Sequence, residues 1–300
     1  MAEIFSLEAP YRGAYRLERL SFGSGSPSVA VVSGLHGNEL NGIHSLNVVA
    51  GTLKMARLRG TVHLIPVVNT FGLEYGTKRW PFGDRDINQA FPGDPAGSPV
   101  QRIAHALLAA TDADVCVDIH SASPVLRELP QVRVPLSGRE VELARAMGLP
   151  TVWRRAGDLL EATGLVGAWR QQGRAALHIV GGRGATLDLG PARTMASGVL
   201  RLLHHLGILS AQPPPGRCVA DTTRDRVSYH YSGLGGFWVP EVSIGDRVAP
   251  GHLLGSVTEV IGGGRLEDVR ADRAGVVITM RAYPVIHARE LLVRVSDAEP

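Results

Sequence analysis

Cysteine, lysine and long apolar runs are all scarce in this 300-residue chain, and each scarcity removes a class of explanation. Only Cys116 and Cys218 are present, and neither belongs to a Cys-x-x-Cys pair. Cys116 lies inside an apolar run and reads as a core thiol. Lysine occurs only at positions 54 and 78; the remaining basic residues are arginines scattered among acids, for a net charge of +3. Nucleic-acid binding needs a basic stripe or patch, and none is written here. No run of about 18 uninterrupted apolar residues exists, so no membrane span is expected. The first ten residues carry acids and no basic start before an apolar core, which argues against a secretory signal and for a cytoplasmic protein.

What is present is ordinary globular material, 44% hydrophobic and 20% charged, long enough for one large domain plus a small one. Apolar runs suited to buried strands occur at Ser28–Val32, Thr61–Val68, Asp114–Ile119 and Ala185–Leu189, with Thr151–Arg154 a weaker one. Between them, spacings of three and four predict helices over Val100–Ala110, Arg139–Met147 and Ala192–Leu206, the last two ended by Gly148 and Gly207. This alternation predicts an α/β fold with a mixed, mostly parallel sheet flanked by helices. The Pro213-Pro214-Pro215-Gly216 stretch then reads as a stiff linker. It divides a catalytic α/β unit (residues 1–211) from a smaller C-terminal all-β, sandwich-like unit (217–300), where short strands and glycine turns replace helical periodicity.

The chemistry is concentrated at two strand ends. Ser33-Gly34-Leu35-His36-Gly37-Asn38-Glu39 follows the run Val29–Val32, and Asp118-Ile119-His120-Ser121 closes the run that begins at Asp114. In open α/β sheets ligands bind outside the carboxyl ends of strands. His36, Glu39 and His120 brought to one edge make a two-nitrogen, one-oxygen ligand set for a single zinc ion per chain. Such a set leaves a fourth position open, as a catalytic rather than a structural zinc site does. Asn69 and Asp188 are expected to converge on the same edge.

With these residues on the page, the chain resembles the succinylglutamate desuccinylase/aspartoacylase family, relatives of the zinc carboxypeptidases. The Gly34–Glu39 and Val117–Ser121 segments look like its metal motifs, and Asn69–Arg79 with Arg85–Gly93 looks like a third. The resemblance implies a zinc amidohydrolase that cleaves the amide of a small N-acyl amino acid or amine. It implies His36, Glu39 and His120 as metal ligands. It also implies an arginine near the developing oxyanion, Arg79 first and Arg85 second. No nucleic-acid or membrane partner is implied, and a homo-oligomer is allowed.

Two departures bear on that carry-over. The family's general base is a glutamate in a Thr-x-Glu-x-Gly run; Thr186-Leu187-Asp188-Leu189-Gly190 offers Asp188, a carboxylate about 1.5 Å shorter in reach. Where the family usually has Asn-Arg, the chain has Asn88-Gln89, and an amide cannot supply the charge that forks onto a substrate carboxylate. Asn88, Gln89 and Arg85 remain the expected substrate-binding set, with Arg183 and Arg193 as replacement cations. The alternatives are a carboxypeptidase-type zinc peptidase and a metal-binding homologue with lost or altered catalysis.

Overall fold

A computed structural model describes residues 1–8, 13–156 and 164–297. Its strands are β1 (Ala2–Glu8), β2 (Ala14–Ser24), β3 (Ser28–Ser33), β4 (Gly60–Ile65), β5 (Val115–Ala122), β6 (Leu126–Pro135), β7 (Thr151–Arg155), β8 (Ala175–Arg183) and β9 (Ala220–Thr222). After the proline segment come β10 (Val227–Tyr231), β11 (Gly236–Pro240), β12 (Arg247–Val248), β13 (Leu253–Thr258), β14 (Arg265–Arg270), β15 (Gly275–Arg281), β16 (Val285–Ile286) and β17 (Leu291–Ser296). The central sheet runs β1-β2-β4-β3-β5-β8-β6-β15-β17-β10, with β4, β3, β5 and β8 mutually parallel.

Burial explains why the middle strands read as continuous apolar runs. Both faces of β5 are covered, and all eight of its residues are buried. Alternate side chains feed two separate cores. Val29, Val31, Val115 and Val117 pack with the Leu40–Leu53, Arg139–Met147 and Leu189–His205 helices. Ala30, Val32 and Cys116 pack with the Pro99–Ala110 and Leu165–Gln171 helices. At the start of Pro99–Ala110 the Gln101 side chain accepts the Ser98 N–H at 3.0 Å, and proline occupies the first turn, where no N–H is needed. Gly148 caps the Arg139–Met147 helix in the left-handed region, as its position after the last apolar residue predicts.

The expected strand at Ala185–Leu189 is not there. The fourth parallel strand is β8, ten residues earlier. Ala185 sits at φ +56°, a left-handed conformation that breaks an extended run, and the helix begins at Leu189 with Asp188 at its N-cap position. Pro66 stops β4 short of Val68. Residues 212–219 form neither helix nor strand. Beyond them the C-terminal strands do not form an isolated unit: β15 pairs with β6, setting Thr279 opposite Glu128, and so extends the central sheet. A separate four-stranded sheet, β14-β13-β11-β16, packs over it around the buried Trp238. Among the described residues no helix is long and apolar enough to cross a membrane.

Candidate metal centre

The turn after β3 is built on backbone that favours glycine. Gly34 lies at φ +64°, and its carbonyl accepts the N–H groups of Val68 and Asn69 at 3.2 and 2.8 Å. A Cβ on Gly37 would overlap the Gly72–Leu73 backbone. The tight turn closes with the Glu39 N–H on the His36 carbonyl (3.1 Å), which brings both side chains to one side. Glu39 also starts the Leu40–Leu53 helix, where a negative charge is favoured. His120 arrives from the adjacent strand, since β3 and β5 pair in parallel with Ser33 opposite Ile119.

The three side chains meet. His36 Nδ1 lies 2.6 Å from Glu39 Oε1 and His120 Nδ1 lies 2.9 Å from Glu39 Oε2. Their ligand atoms lie within 4.8 Å of one another. All three residues are buried, at 6%, 7% and 5% exposure. The outer imidazole nitrogens are also held: His36 Nε2 on Asp86 Oδ1 at 3.2 Å, and His120 Nε2 on Asp118 Oδ2 at 2.8 Å. A carboxylate behind each histidine fixes the tautomer that turns Nδ1 towards Glu39, as metal-ligating histidines require. The Ser121 N–H (2.8 Å) completes the anchoring of Glu39.

The electrostatics describe a cation-seeking centre. Burial by itself opposes a charged imidazole at His120, yet Asp118 and Glu39 outweigh it and hold the pKa well above its ordinary value. His36 is also raised; burial opposes, and Glu39 and Asp86 prevail. Burial would lift Glu39, but the two histidines hold its carboxyl well below the usual range. The surroundings favour positive charge at both imidazoles, a demand one divalent ion would meet, and two nitrogens with one oxygen is a donor set that suits such an ion.

The trio opens on a cavity of about 660 Å³. Asn88 and Gln89 stand on its wall, and Asn88 Oδ1 accepts the Leu165 N–H at 3.0 Å. Arg79 and Arg85 do not line it. Arg79 is half exposed and pairs with Asp84 at 2.8 Å, and Arg85 is exposed, its backbone closing a turn with Trp80. Lys78, the neighbour of Arg79, is the cation on the wall at that end. Asp188 is likewise absent from the wall. Its Oδ2 accepts the Arg183 N–H at 3.0 Å, its Oδ1 faces Arg127 at 3.5 Å, and its own N–H is held by Asn41 Oδ1 at 2.7 Å. Arg183 reaches the Pro124 carbonyl, and Arg193 is exposed on the Leu189–His205 helix; neither lines the cavity. Asn69 serves as a helix cap, accepting the Gly72 N–H at 2.8 Å. Sequence reasoning did not find Glu128, Arg133, Trp153, His178 or Arg294, all on the wall. For Glu128 and Arg133 the one legible signal is the alternation of polar and apolar residues in β6, which Pro130 obscures.

Comparison with known proteins agrees with this geometry. The family model of the succinylglutamate desuccinylase/aspartoacylase catalytic domain matches residues 25–206. The chain is similar to the N-alpha-acetyl-L-2,4-diaminobutyric acid deacetylase of Halomonas elongata, 28% identical over 274 residues, covering 85% of this chain and 78% of that one. Its fold resembles a succinylglutamate desuccinylase from Silicibacter sp. TM1040, with TM-score 0.82, 22% identity and coverage of 98% and 92% of the two chains. It also resembles the product-bound ectoine utilization protein EutE (DoeB) of Ruegeria pomeroyi, with TM-score 0.79, 22% identity and coverage of 95% and 90%. The chain belongs to the succinylglutamate desuccinylase/aspartoacylase family.

Proposed function

We propose that this protein is a zinc-dependent amidohydrolase that removes the acyl group from a small N-acylated amino acid or related amine. The observation that carries this reading is the buried His36–Glu39–His120 trio, with ligand atoms within 4.8 Å of one another, at the wall of a cavity of about 660 Å³. The matched family and the deacetylase relative support the reaction class.

When bound, the ion would supply Lewis-acid activation of the scissile carbonyl and of water. Asp86 and Asp118 hold the Nε2 hydrogens, so both histidines present Nδ1. Lys78 brings positive charge to the wall near the amide, where an oxyanion develops. Asn88 and Gln89 offer neutral hydrogen-bonding groups to the substrate. Glu128 holds Gln131, Arg133 and Arg294 with its two oxygens, which ties it to the wall. His178, with its ring 5.0 Å from that of His120, is the wall residue we assign to proton transfer. Asp188 takes a supporting role.

The wall includes Arg224, Tyr229 and Arg294 from beyond the proline segment, so the site is closed on a side that a peptidase groove would leave open. Metal analysis of chelator-free protein together with hydrolysis of a panel of N-acyl amino acids tests the reading. About one ion per chain with turnover of at least one small N-acyl substrate is expected. Stoichiometric metal without amide hydrolysis would make the protein a metal-binding scaffold instead.

A further inference from the structure

One buried hydroxyl beside the trio has its direction fixed from behind. Ser121 follows His120 near the end of β5, lines the cavity and is 5% exposed. The ladder beside it is irregular: two steps along β5, from His120 to Ala122, match three along β8, from Val180 to Arg183. The extra residue falls at Gly181-Gly182, a bulge of the kind that re-aims groups next to active sites. Gly182 sits at φ +71°, and a Cβ there would lie 2.8 Å from Asn41 Nδ2. The bulge thus leaves room for the fully buried Asn41 amide against Ser121.

Main-chain partners fix which way that amide points. Its Oδ1 accepts the Asp188 N–H at 2.7 Å, and its Nδ2 donates to the Arg183 carbonyl at 2.9 Å. A main-chain N–H can only donate and a main-chain carbonyl can only accept, so the amide has one orientation. Nδ2 therefore also donates to Ser121 Oγ at 3.0 Å, and the hydroxyl is the acceptor in that bond. A hydroxyl has one proton of its own to give. That proton goes to no acceptor among the described residues; the other hydrogen bond of the Ser121 polar groups runs from its main-chain N–H to Glu39 Oε2 at 2.8 Å. With Asn41 behind it and the cavity in front, the hydroxyl has its donor to spend on what the cavity holds.

We propose that the Ser121 hydroxyl donates to the oxygen of the substrate's acyl carbonyl, and to the carboxylate which that carbonyl becomes on hydrolysis. The inference rests on the amidohydrolase reading, which seats the acyl carbon against the trio, and deepens it by naming a residue that touches the reacting group. The exposed Lys78 brings charge, whereas the buried Ser121 brings a donor whose aim is set before the substrate arrives. Such a donor gains strength as negative charge grows on the oxygen, so it acts on kcat more than on KM. A spacer that only satisfied Asn41 would do neither.

The test uses metal-loaded protein and acetate, the acid released from the acetyl group, with binding measured by calorimetry. Ser121→Ala removes one atom and keeps the main-chain N–H on Glu39, so its metal content should match that of the parent. Its acetate affinity should fall about tenfold or more, the scale of a hydrogen bond to a charged group. Ser121→Thr keeps the hydroxyl and should bind acetate within about threefold of the parent. On the N-acyl amino acid that the parent turns over best, Ser121→Ala should lose about tenfold or more in kcat and change KM by less than about threefold. Parental acetate affinity in Ser121→Ala overturns the donor role and leaves the hydrolase reading intact. Acetate binding as weak in Ser121→Thr as in Ser121→Ala traces the loss to packing and overturns it too. Affinity lost in Ser121→Ala and kept in Ser121→Thr, in a parent that hydrolyses no N-acyl probe, supports Ser121 as a donor to the bound carboxylate and removes the hydrolase reading.

Discussion

Asp188 and Asn41 hold each other through main chain and side chain: the Asp188 N–H donates to Asn41 Oδ1 at 2.7 Å, while Asn41 Nδ2 reaches Ser121 Oγ at 3.0 Å. Ser121 in turn donates its backbone N–H to Glu39. The start of the Leu189–His205 helix is thus tied to the candidate metal ligands through one buried amide. This gives Asp188 a structural connection to the site without a place on the cavity wall.

Asp188→Asn is therefore expected to retain metal and to change kcat by less than about fivefold, because the amide oxygen can still accept the Arg183 N–H. Steady-state kinetics with metal quantification checks this. A loss of about 100-fold in kcat with full metal content would restore Asp188 as the general base.

Asn41→Ala is expected to act more broadly. Asn41 is fully buried, and its side chain serves Ser121, the Arg183 carbonyl and the Asp188 N–H. Removing it leaves several buried polar groups unpaired, at a cost of about 2–4 kcal/mol in unfolding free energy. Chemical denaturation reads the loss. A variant within about 0.5 kcal/mol of the parent would show that water replaces the amide, and that the tie is dispensable.

The His36–Glu39–His120 grouping was legible in the sequence because each of these residues lies in a short contiguous motif at the end of an apolar run. The outer wall of the cavity was not. Glu128, Arg133, Trp153 and Arg294 come together only through strand register, with β17 returning beside β15 and β15 beside β6. No local pattern encodes that pairing. The misplaced fourth strand has a local cause. Gly181-Gly182-Arg183-Gly184 reads as a turn ahead of a strand, but it ends β8, and the left-handed Ala185 carries the chain to the metal loop, where its N–H meets the Asn38 carbonyl at 2.7 Å. Arg79 lost its expected place to its neighbour Lys78 for a similar reason: the turn that pairs it with Asp84 points it outward.

Asp118→Asn should weaken metal binding by about 10- to 100-fold without abolishing it. The substitution keeps an oxygen near His120 Nε2 but removes the charge that raises the basicity of the ring. His120→Ala, by contrast, removes a ligand and should leave no stoichiometric metal after dialysis. Competition with a chromophoric chelator separates the two. Equal affinity in Asp118→Asn and the parent would deny the carboxylate any part in tuning the centre.

Thermal stability should respond to pH differently with and without metal. In metal-free protein the raised His120 stabilises the fold fully below its ordinary 6.5, and that contribution is lost as pH rises through the elevated value. The depressed Glu39 contributes above its ordinary 4.5 and loses its contribution as pH falls. The trio thus supports the metal-free fold best in mildly acidic solution. Metal binding needs neutral imidazoles, so its stabilisation grows with pH. The Tm difference between loaded and metal-free protein should therefore widen from about pH 6 to about pH 8.5. A difference that narrows over that range would contradict the ligand assignment.

His178 offers the sharpest test of the chemistry. It projects from β8 onto the wall with its ring edge-on to His120, near the metal ligands but not among them. If it moves the proton, His178→Ala should keep its metal, lose about 100-fold or more in kcat and change KM by less than about threefold. Loss of packing alone could also slow the enzyme, so the deciding readout is rescue. Added imidazole should restore part of the rate in His178→Ala, with a pH dependence set by the added base, and should do nothing for the parent. A slow variant that imidazole does not help would reduce His178 to a packing neighbour of the centre.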